Sequence, residues 1–382
     1  MKFGVNRQIG GGNIKIICTI CTIILAVILG ILLWNEHLKN EKKEQELRIL
    51  NQQITTQRKQ EEEVRRLLEE NDSFYQKLKD GFDVNLLIVG DSIGAGAGTK
   101  TQEKQWYEQL KNYLKKEYGI RVGLTNVSMG GNASYAGYVR TMALEDDVDY
   151  DLAILCYGQN DGVDGFGENY ETMIQAIQKK YPDCSIISIL ESSQREYTEK
   201  MLTIKKLCKY YDIPVADTIA AFQNSGISYE KLAEDGVHPN DAGQDIYFET
   251  VKKVIEKQVQ ASTGKMEKRT LLYGEAEKYR NFAWFGVDEK GFKRLNDTTF
   301  ELNIKAEGIL GIDYTYESGD NKADIYIDGR LYKSPTVTFN YDFSQRHILV
   351  VSENCSVKEN IRVVFSTKEQ ADGFYGMCFS WK

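Results

Sequence analysis

The longest apolar run in the chain lies near its start, where nineteen residues from Ile16 to Trp34 carry no charge. A helix needs about 20 such residues to cross the hydrocarbon core of a bilayer. A core helix of a soluble protein rarely lacks polar residues on every face, and a cleaved signal peptide would show a small-x-small site before Asn35. The run therefore predicts an uncleaved transmembrane anchor over 16–34, behind an N-terminal tail over 1–15.

Basic residues flank this run on both sides, so that counting them does not decide the orientation of the anchor. They are Lys2, Arg7 and Lys15 before the run and Lys39, Lys42, Lys43 and Arg48 after it. A short tail before a first hydrophobic segment usually stays in the cytoplasm. The sequence therefore predicts a single-pass protein of the cell membrane whose larger, C-terminal part is extracytoplasmic.

Residues 36–80 are rich in charge and contain neither Pro nor Gly. Apolar side chains recur there at alternating steps of three and four, which is the heptad spacing of a coiled coil. They are Leu47, Leu50, Ile54, Val64, Leu68, Tyr75 and Leu78, and the series is interrupted by Gln57, Glu61 and Asn71. The pattern predicts a helical stalk over 36–80, either as a single solvated helix or as a loose parallel homodimer.

From Val84 to about Gln258, short apolar runs alternate with longer amphipathic stretches. The apolar runs are VNLLIVG (84–90), RVGLTNV (121–127), DLAILCY (151–157), SIISIL (185–190) and IPVAD (213–217). The amphipathic stretches cover 103–118, 134–145, 168–180, 195–211 and 241–258. Near-continuous apolar strands separated by helices predict a three-layer α/β domain over 81–260, with a parallel sheet covered on both faces. Ligands of such sheets bind beyond the carboxyl ends of the strands.

The pattern changes after a polar bridge around residues 261–268. Segments of alternating polarity, separated by Gly, Asn and Asp, follow one another as TFELNIKA, ADIYIDG, HILVVSE and IRVVFST. Alternation with a period of two is typical of strands with one buried face. Because no helical period is present, residues 269–382 are predicted to form an all-β accessory module, a sandwich or jelly roll.

Composition argues against two classes of function. A net charge of -8 over 382 residues, without clustered Lys and Arg beside aromatic residues, argues against a nucleic-acid partner. The seven Cys lack metal-ligand spacing, since Cys18 and Cys21 form one C-x-x-C inside the apolar run without a second pair. Cys355 and Cys378 are candidates for a disulfide in an oxidising compartment or for free buried thiols. No metal or other cofactor is predicted.

The first predicted strand ends in Gly90-Asp91-Ser92 and continues as IGAGAG. This places Ser92 on a tight turn at the edge of the sheet, where a nucleophile must be exposed. A Gly-rich loop after a strand also suggests a phosphate site. However, the chain has neither G-x-G-x-x-G in the proper register nor G-K-[ST], so a nucleotide site is disfavoured.

The next two strands also end in loops that offer hydrogen-bond donors. NVSMGGNAS (126–134) supplies the backbone N–H groups of Gly130 and Gly131, and YGQND (157–161) supplies the side-chain amide of Asn160. Each loop alone is an ordinary turn. Together, at successive strand ends, they predict a group of fixed donors for an oxyanion.

A histidine suited to act as a base follows near the end of the α/β domain, in the segment Asp235-Gly236-Val237-His238. The chain has three His, and His37 lies beside the anchor while His347 lies in the β module. A histidine base of the α/β domain is therefore His238. The spacing of three lets Asp235 reach one ring nitrogen while the other faces Ser92.

Taken together, GDS after the first strand, a Gly after the second, G-x-N-D after the third and D-x-x-H near the domain's end resemble the four blocks of the SGNH, or GDSL, hydrolases. The resemblance covers residues 85–260 and implies a flavodoxin-like fold with Ser92 as nucleophile, His238 as base and Asp235 as its orienting partner. It implies the Ser92 N–H, Gly131 and Asn160 as oxyanion donors. The family often has Ser before the block-two Gly, and here Gly130 stands there, so Gly131 is preferred over Gly130.

Members of this family include lipases, thioesterases, carbohydrate acetylesterases and acetyltransferases, and the fold does not choose among them. A stalked extracytoplasmic enzyme meets surface glycans, which favours an esterase that removes O-acetyl or other O-acyl groups from a carbohydrate. Transfer of an acetyl group to a glycan, lipase or thioesterase activity, and a catalytically silent scaffold are the alternatives. The intact set of five site residues argues against the scaffold.

Overall fold

The first helix, α1 (Gly11–Asn71), runs without a break through the apolar segment and into the charged one. Within Thr19–Gln60 an 18-residue window has a mean hydropathy of 2.0, and none of that window is buried. By length and composition this helix can cross a membrane, although a signal sequence near an N-terminus passes the same test. The computed structural model describes residues 11–71, 73–261, 269–287 and 291–382. Residues 1–10 of the predicted tail and 262–268 of the polar bridge lie outside the described residues.

A short second helix, α2 (Phe74–Asp80), begins a separate compact unit that extends to Lys382. The Ser73 hydroxyl caps it by accepting a hydrogen bond from the Gln76 N–H at 3.4 Å. Tyr75 and Leu78 are 3% and 1% exposed and belong to the apolar core of this unit. The predicted stalk over 36–80 is therefore wrong at its C-terminal end, because these two side chains are buried in the domain rather than exposed on a coiled-coil seam.

The sheet of the α/β domain is parallel, with strand order β2-β1-β3-β4-β5, the order of flavodoxin-like folds. Its strands are β1 (Val84–Gly90), β2 (Val122–Asn126), β3 (Leu152–Cys156), β4 (Ser185–Leu190) and β5 (Val215–Asp217). The helices after α2 are α3 (Trp106–Tyr118), α4 (Ser134–Met142), α5 (Phe166–Lys180), α6 (Glu199–Tyr211), α7 (Thr218–Gln223), α8 (Tyr229–Leu232) and α9 (Asp241–Ala261). The predicted fold class is confirmed. The short helices α7 and α8 were not predicted.

Both faces of this sheet are covered because its strands are apolar on both sides. In β1, Leu87 and Val89 pack into the core on the side of α4, α5 and α6, whereas Leu86 and Ile88 pack on the side of α2, α3 and α9. All four side chains are fully buried. Burial of this kind contributes about 1.5–3 kcal/mol for each large aliphatic side chain.

The C-terminal module is a sandwich of two antiparallel sheets, as predicted. Its elements are β6 (Asn281–Gly286), β7 (Lys293–Arg294), β8 (Thr299–Asn303), β9 (Ala306–Tyr316), β10 (Gly319–Ile327), β11 (Arg330–Lys333), β12 (Thr336–Phe339), β13 (Gln345–Val357), β14 (Asn360–Phe365), α10 (Lys368–Asp372) and β15 (Phe374–Trp381). One sheet has the order β11-β10-β14-β8-β7 with β12 paired to β10, and the other has the order β13-β9-β15-β6. The second sheet faces the α/β domain.

The two domains share an apolar core. Ile309, Ile348 and Cys378 of the β module belong to the same buried cluster as the residues of α4 and α5. Hydrogen bonds cross the contact as well, since the Tyr138 hydroxyl lies 3.1 Å from the Ser380 hydroxyl. The β module is therefore packed onto the α/β domain and not tethered loosely beside it.

Cys355 and Cys378, the two candidates for a disulfide, are both buried free thiols.

Candidate active site

Ser92 lies on a tight turn directly after β1, at the carboxyl end of the sheet. The turn is closed by a hydrogen bond from the Ala95 N–H to the Asp91 carbonyl at 2.9 Å. The Asp91 carboxyl group accepts a second hydrogen bond from the Ile93 N–H at 2.8 Å, which spans Ser92 and holds it in place. Ser92 itself is half-buried.

His238 and Asp235 complete a hydrogen-bonded series with Ser92. The His238 Nε2 atom lies 2.8 Å from Ser92 Oγ, and Nδ1 lies 2.6 Å from the Asp235 Oδ2 atom. Partial burial raises the pKa of Asp235, but hydrogen bonds from the His238 ring and from the backbone N–H groups of Val237 and His238 outweigh this effect and lower its pKa overall. A carboxylate only accepts, so it keeps the ring hydrogen on Nδ1 and leaves Nε2 free to accept the Ser92 proton.

Two residues bring the Ser92 turn and the His238 loop together. Gly98 has a φ of +97°, and a methyl group on it would lie 2.5 Å from the Pro239 carbonyl oxygen and 3.0 Å from the His238 Cβ. Only glycine permits this approach. Gln244 of α9 is fully buried and donates to the carbonyls of Ala97 and Pro239 at 3.1 and 3.2 Å. The short distance between Ser92 and His238 therefore rests on packing behind them.

The loop after β2 runs beside Ser92. A methyl group placed on Gly130 would lie 3.6 Å from the Ser92 Cβ. Gly131 has a φ of +70°, which glycine adopts without strain. The loop after β3 brings Asn160 to the same edge, where its amide donates to Asp91 Oδ2 and to the Asn132 carbonyl at 3.1 and 3.2 Å. The structure thus assembles all of the predicted site residues at one edge of the sheet.

The Asn132 side chain forms hydrogen bonds that connect the loop after β2 to the β module. Its side-chain amide donates to the Gly130 carbonyl and to the Arg346 carbonyl, both at 2.8 Å, and its oxygen accepts from the Ile348 N–H at 2.9 Å. Asn132 is 2% exposed. The Asn132 side chain therefore makes the hydrogen bonds to the β13 backbone that a neighbouring strand would make. It also holds in place the backbone beside Ser92.

Two side chains of β13 lie over the glycines, a contact that the sequence analysis did not predict. A methyl group on Gly130 would lie 2.8 Å from Gln345 Nε2, and one on Gly131 would lie 3.0 Å from His347 Cε1. The His347 ring is stacked on Tyr316 with 4.3 Å between centroids, and its Nε2 lies 3.0 Å from Gln345 Oε1. Burial lowers the pKa of His347 to about 4, so the ring is neutral at neutral pH.

A second unexpected feature is a pair of carboxyl groups buried beneath the site. Asp91 and Glu191, the residue after β4, are both fully buried. Burial raises the pKa of Asp91 to about 7 and also raises the pKa of Glu191, which the nearby Asp91 raises further. Glu191 accepts a hydrogen bond from the Gln159 N–H at 2.7 Å, next to Asn160. Glu191 directly follows the mainly apolar strand SIISIL, and a carboxylate at the end of such a strand is the signal in the sequence that could have indicated it.

Among the described residues, no group of three or more His, Cys, Asp or Glu side chains is placed to hold a metal ion.

Comparison with known proteins agrees with this geometry. Residues 88–246 match the model of the GDSL-like Lipase/Acylhydrolase family. Thioesterase 1/protease 1/lysophospholipase L1 of Escherichia coli (strain K12) is 25% identical over 179 residues, which cover 45% of this chain and 83% of that protein. Arylesterase of Vibrio mimicus is 27% identical over 180 residues, which cover 45% of this chain and 88% of that protein.

A solved structure matches both domains. It is a two-domain esterase (CEX) active on acetylated mannans, co-crystallised with mannopentaose, and it has a TM-score of 0.66 and 17% identity. The match covers 82% of this chain and 96% of that one and shows a common fold. Fold and family together define the class of this protein, an SGNH-type ester hydrolase. Over residues 88–246 the chain resembles the GDSL-like lipase/acylhydrolase family, in agreement with the four sequence blocks.

Proposed function

We propose that this protein is a membrane-anchored, extracytoplasmic serine esterase that removes O-acyl groups, in particular O-acetyl groups, from a carbohydrate. The observation that carries the proposal is the hydrogen-bonded series from Asp235 through His238 to Ser92, with distances of 2.6 and 2.8 Å. These are the distances at which a general base activates a hydroxyl nucleophile.

In the proposed mechanism, Ser92 Oγ attacks the ester carbonyl carbon while His238 Nε2 accepts its proton. The Ser92 N–H, the Gly131 N–H and the Asn160 amide stabilise the negative charge on the carbonyl oxygen, with Gly130 as the alternative loop donor. The C–O bond to the sugar then breaks, and His238 returns the proton to the departing alcohol. Water attacks the acyl-serine with His238 as base, and acetate leaves as the Ser92 hydroxyl is restored.

The surroundings of Ser92 support a carbohydrate substrate over a lipid. The side chains on and above the loops beside Ser92 include three polar ones, namely Asn160, Gln345 and His347. A long acyl chain is bound by apolar surface, whereas hydroxyl groups of sugars need donors and acceptors. The two-domain structural neighbour is active on acetylated mannans and shares the fold over 82% of this chain, which supports an acetylated polysaccharide as substrate here.

The membrane part of the proposal rests on α1. Its apolar segment is long enough to span a bilayer. An uncleaved span predicts that the full chain stays in the membrane fraction after alkaline carbonate washing. Recovery of the chain in the wash would contradict the anchor.

The esterase activity is tested with the full chain in detergent, by acetate release from 4-nitrophenyl acetate and from acetylated mannan. We expect release from both. Faster cleavage of a long-chain 4-nitrophenyl ester or an acyl thioester would favour a lipase or thioesterase. Acetyl transfer to added oligosaccharide in place of acetate release would favour a transferase. Absence of turnover on every substrate would favour a scaffold.

Asn160→Ala is expected to lower kcat by about 10²–10³ with little change in KM, because the amide stabilises charge that appears only in the transition state. In the resting site its two hydrogen bonds are long, 3.1 and 3.2 Å, and a charged oxyanion is a stronger acceptor that replaces one of them. The measurement is kcat and KM with 4-nitrophenyl acetate.

Gln159→Ala is the matched control, because this neighbouring side chain bonds to Gln194 at 2.9 Å and not to the loops beside Ser92. We expect near-parental kinetics. A rise in KM at unchanged kcat in Asn160→Ala would contradict the proposed role of its amide.

A further inference from the structure

Arg140, at the end of α4, has an unusual environment for a guanidinium group. Its Nε atom is buried, and within the part of the chain that the structure describes it has no hydrogen-bond partner. A buried donor without a partner costs about 1–3 kcal/mol, and more when it is charged. Such a group is therefore expected to be satisfied by something that binds there.

Arg140 lies between two cavities at the contact of the α/β domain with the β module. The smaller, about 180 Å³, is also lined by Ser128, Gly130 and Gln345, and it therefore begins at the loop beside Ser92. The Ser128 hydroxyl is a second buried polar atom without a partner among the described residues. The smaller cavity is thus lined by two side chains that each have one buried polar atom without a partner among the described residues.

The larger cavity, about 630 Å³, continues from Arg140 and Arg346 between Trp284 and Tyr375. The Arg346 guanidinium group lies 3.6 Å from the centre of the Tyr375 ring. Tyr375 is 40% exposed. Aromatic and guanidinium planes of this kind bind the faces of sugar rings, so that the cavity has room and surface for a pyranose unit.

Among the residues that the structure describes, the charges around Arg140 leave one positive charge without a buried partner. Arg346 makes two hydrogen bonds to Asp313, at 2.8 and 2.6 Å, and these two charges balance. Burial lowers the pKa of Arg140, and the nearby Arg346 lowers it further, while Asp313 opposes these effects. Glu145 also lines the larger cavity, but it is exposed and water screens its charge. A ligand with one negative charge would complete the site.

We infer that this cleft is a substrate subsite for a sugar unit that carries one negative charge, held by Arg140 while Ser92 acts on an acyl group elsewhere on the same glycan. The inference rests on the proposed function and adds acidic glycans to its substrate class. A carboxylate, as in a uronate, and a phosphodiester share the required chemistry. A guanidinium group binds both in charge-assisted hydrogen bonds.

Binding is measured by calorimetry with the full-length Ser92→Ala chain in detergent, so that no turnover occurs. The probes are trigalacturonate for a carboxylate, a glycerol phosphate oligomer for a phosphodiester, and mannotriose as the neutral sugar. We expect one of the two anionic probes to bind, and the stronger of them identifies the group. A second substitution in the Ser92→Ala chain, Arg140→Gln, is expected to weaken that binding about tenfold or more.

Arg362→Gln is the matched control, because Arg362 pairs with Glu301 on the other sheet of the β module at 2.6 Å. It should leave the binding unchanged. Arg140→Lys keeps the positive charge but lacks the planar guanidinium group. Its affinity for the anionic probe should therefore lie between that of the parent and that of Arg140→Gln. The far-UV circular dichroism spectrum of Arg140→Gln should match that of the parent, which shows that the variant is folded.

Two results would overturn the subsite. One is equal binding of neutral and anionic probes, and the other is anionic binding that Arg140→Gln does not weaken. A chain that cleaves 4-nitrophenyl acetate but gives either result keeps the proposed esterase function and lacks the subsite. A chain that binds an anionic probe through Arg140 but cleaves no ester has the subsite and lacks the proposed esterase function. The two proposals can therefore fail independently of each other.

Discussion

Replacement of Ser92 by Ala is expected to lower kcat for ester hydrolysis by about 10⁶, because the proposed nucleophile is lost. The free energy of unfolding should hardly change, since Ser92 is half-buried on a turn and the variant loses one hydrogen bond, to His238. The measurements are kcat with 4-nitrophenyl acetate and thermal unfolding followed by circular dichroism, both on the full chain.

Ser225→Ala is a suitable control for this substitution. Ser225 is also a half-buried turn serine, and its hydroxyl donates to the Phe222 carbonyl at 2.7 Å, away from the site. It should keep parental activity. Turnover near the parental rate in Ser92→Ala would show that another group is the nucleophile.

Asp235→Asn is expected to lower kcat by about 10⁴. The asparagine amide can donate to His238 Nδ1, which places the ring hydrogen on Nε2 and prevents that atom from accepting the Ser92 proton. The size of the side chain is unchanged, and its oxygen still accepts from the backbone N–H groups of Val237 and His238. The effect should therefore appear in kcat and not in stability.

Asp241→Asn serves as the control for the loss of charge, because Asp241 is a nearby half-buried residue that accepts from the Lys100 N–H at 3.1 Å. We expect parental kcat for it. A fully active Asp235→Asn enzyme would mean that the orientation of His238 depends on other contacts.

The α/β domain was predictable because its strands are buried on both faces. Such strands are continuous apolar runs, and the boundaries of β1 and β4 agree with the predicted 84–90 and 185–190. The site loops were predictable for a related reason. The carboxyl ends of parallel strands meet at one edge of a sheet, so that Ser92 and Asn160 had to lie near each other once the strands were assigned.

The contribution of the β module could not be predicted, because nothing local in the sequence marks it. Gln345 and His347 lie 214 or more residues after Gly131, and only the docking of β13 through Asn132 brings them to the glycine loop. The stalk boundary was misjudged for a similar reason. Tyr75 and Leu78 have the spacing of a heptad, and the same spacing places two side chains on the buried face of a short helix.

The most C-terminal strand of this sequence, β15, lies between β9 and β6 and not at an edge of its sheet. From β15, Cys378 and Ser380 reach Tyr135 and Tyr138 of α4. During synthesis, the α/β sheet is therefore complete well before the surface that covers α4 exists. At about 5–20 residues per second, the delay is on the order of 10 s. Through that interval the nascent chain exposes an aromatic face prone to aggregation, which a chaperone could protect until β15 is made.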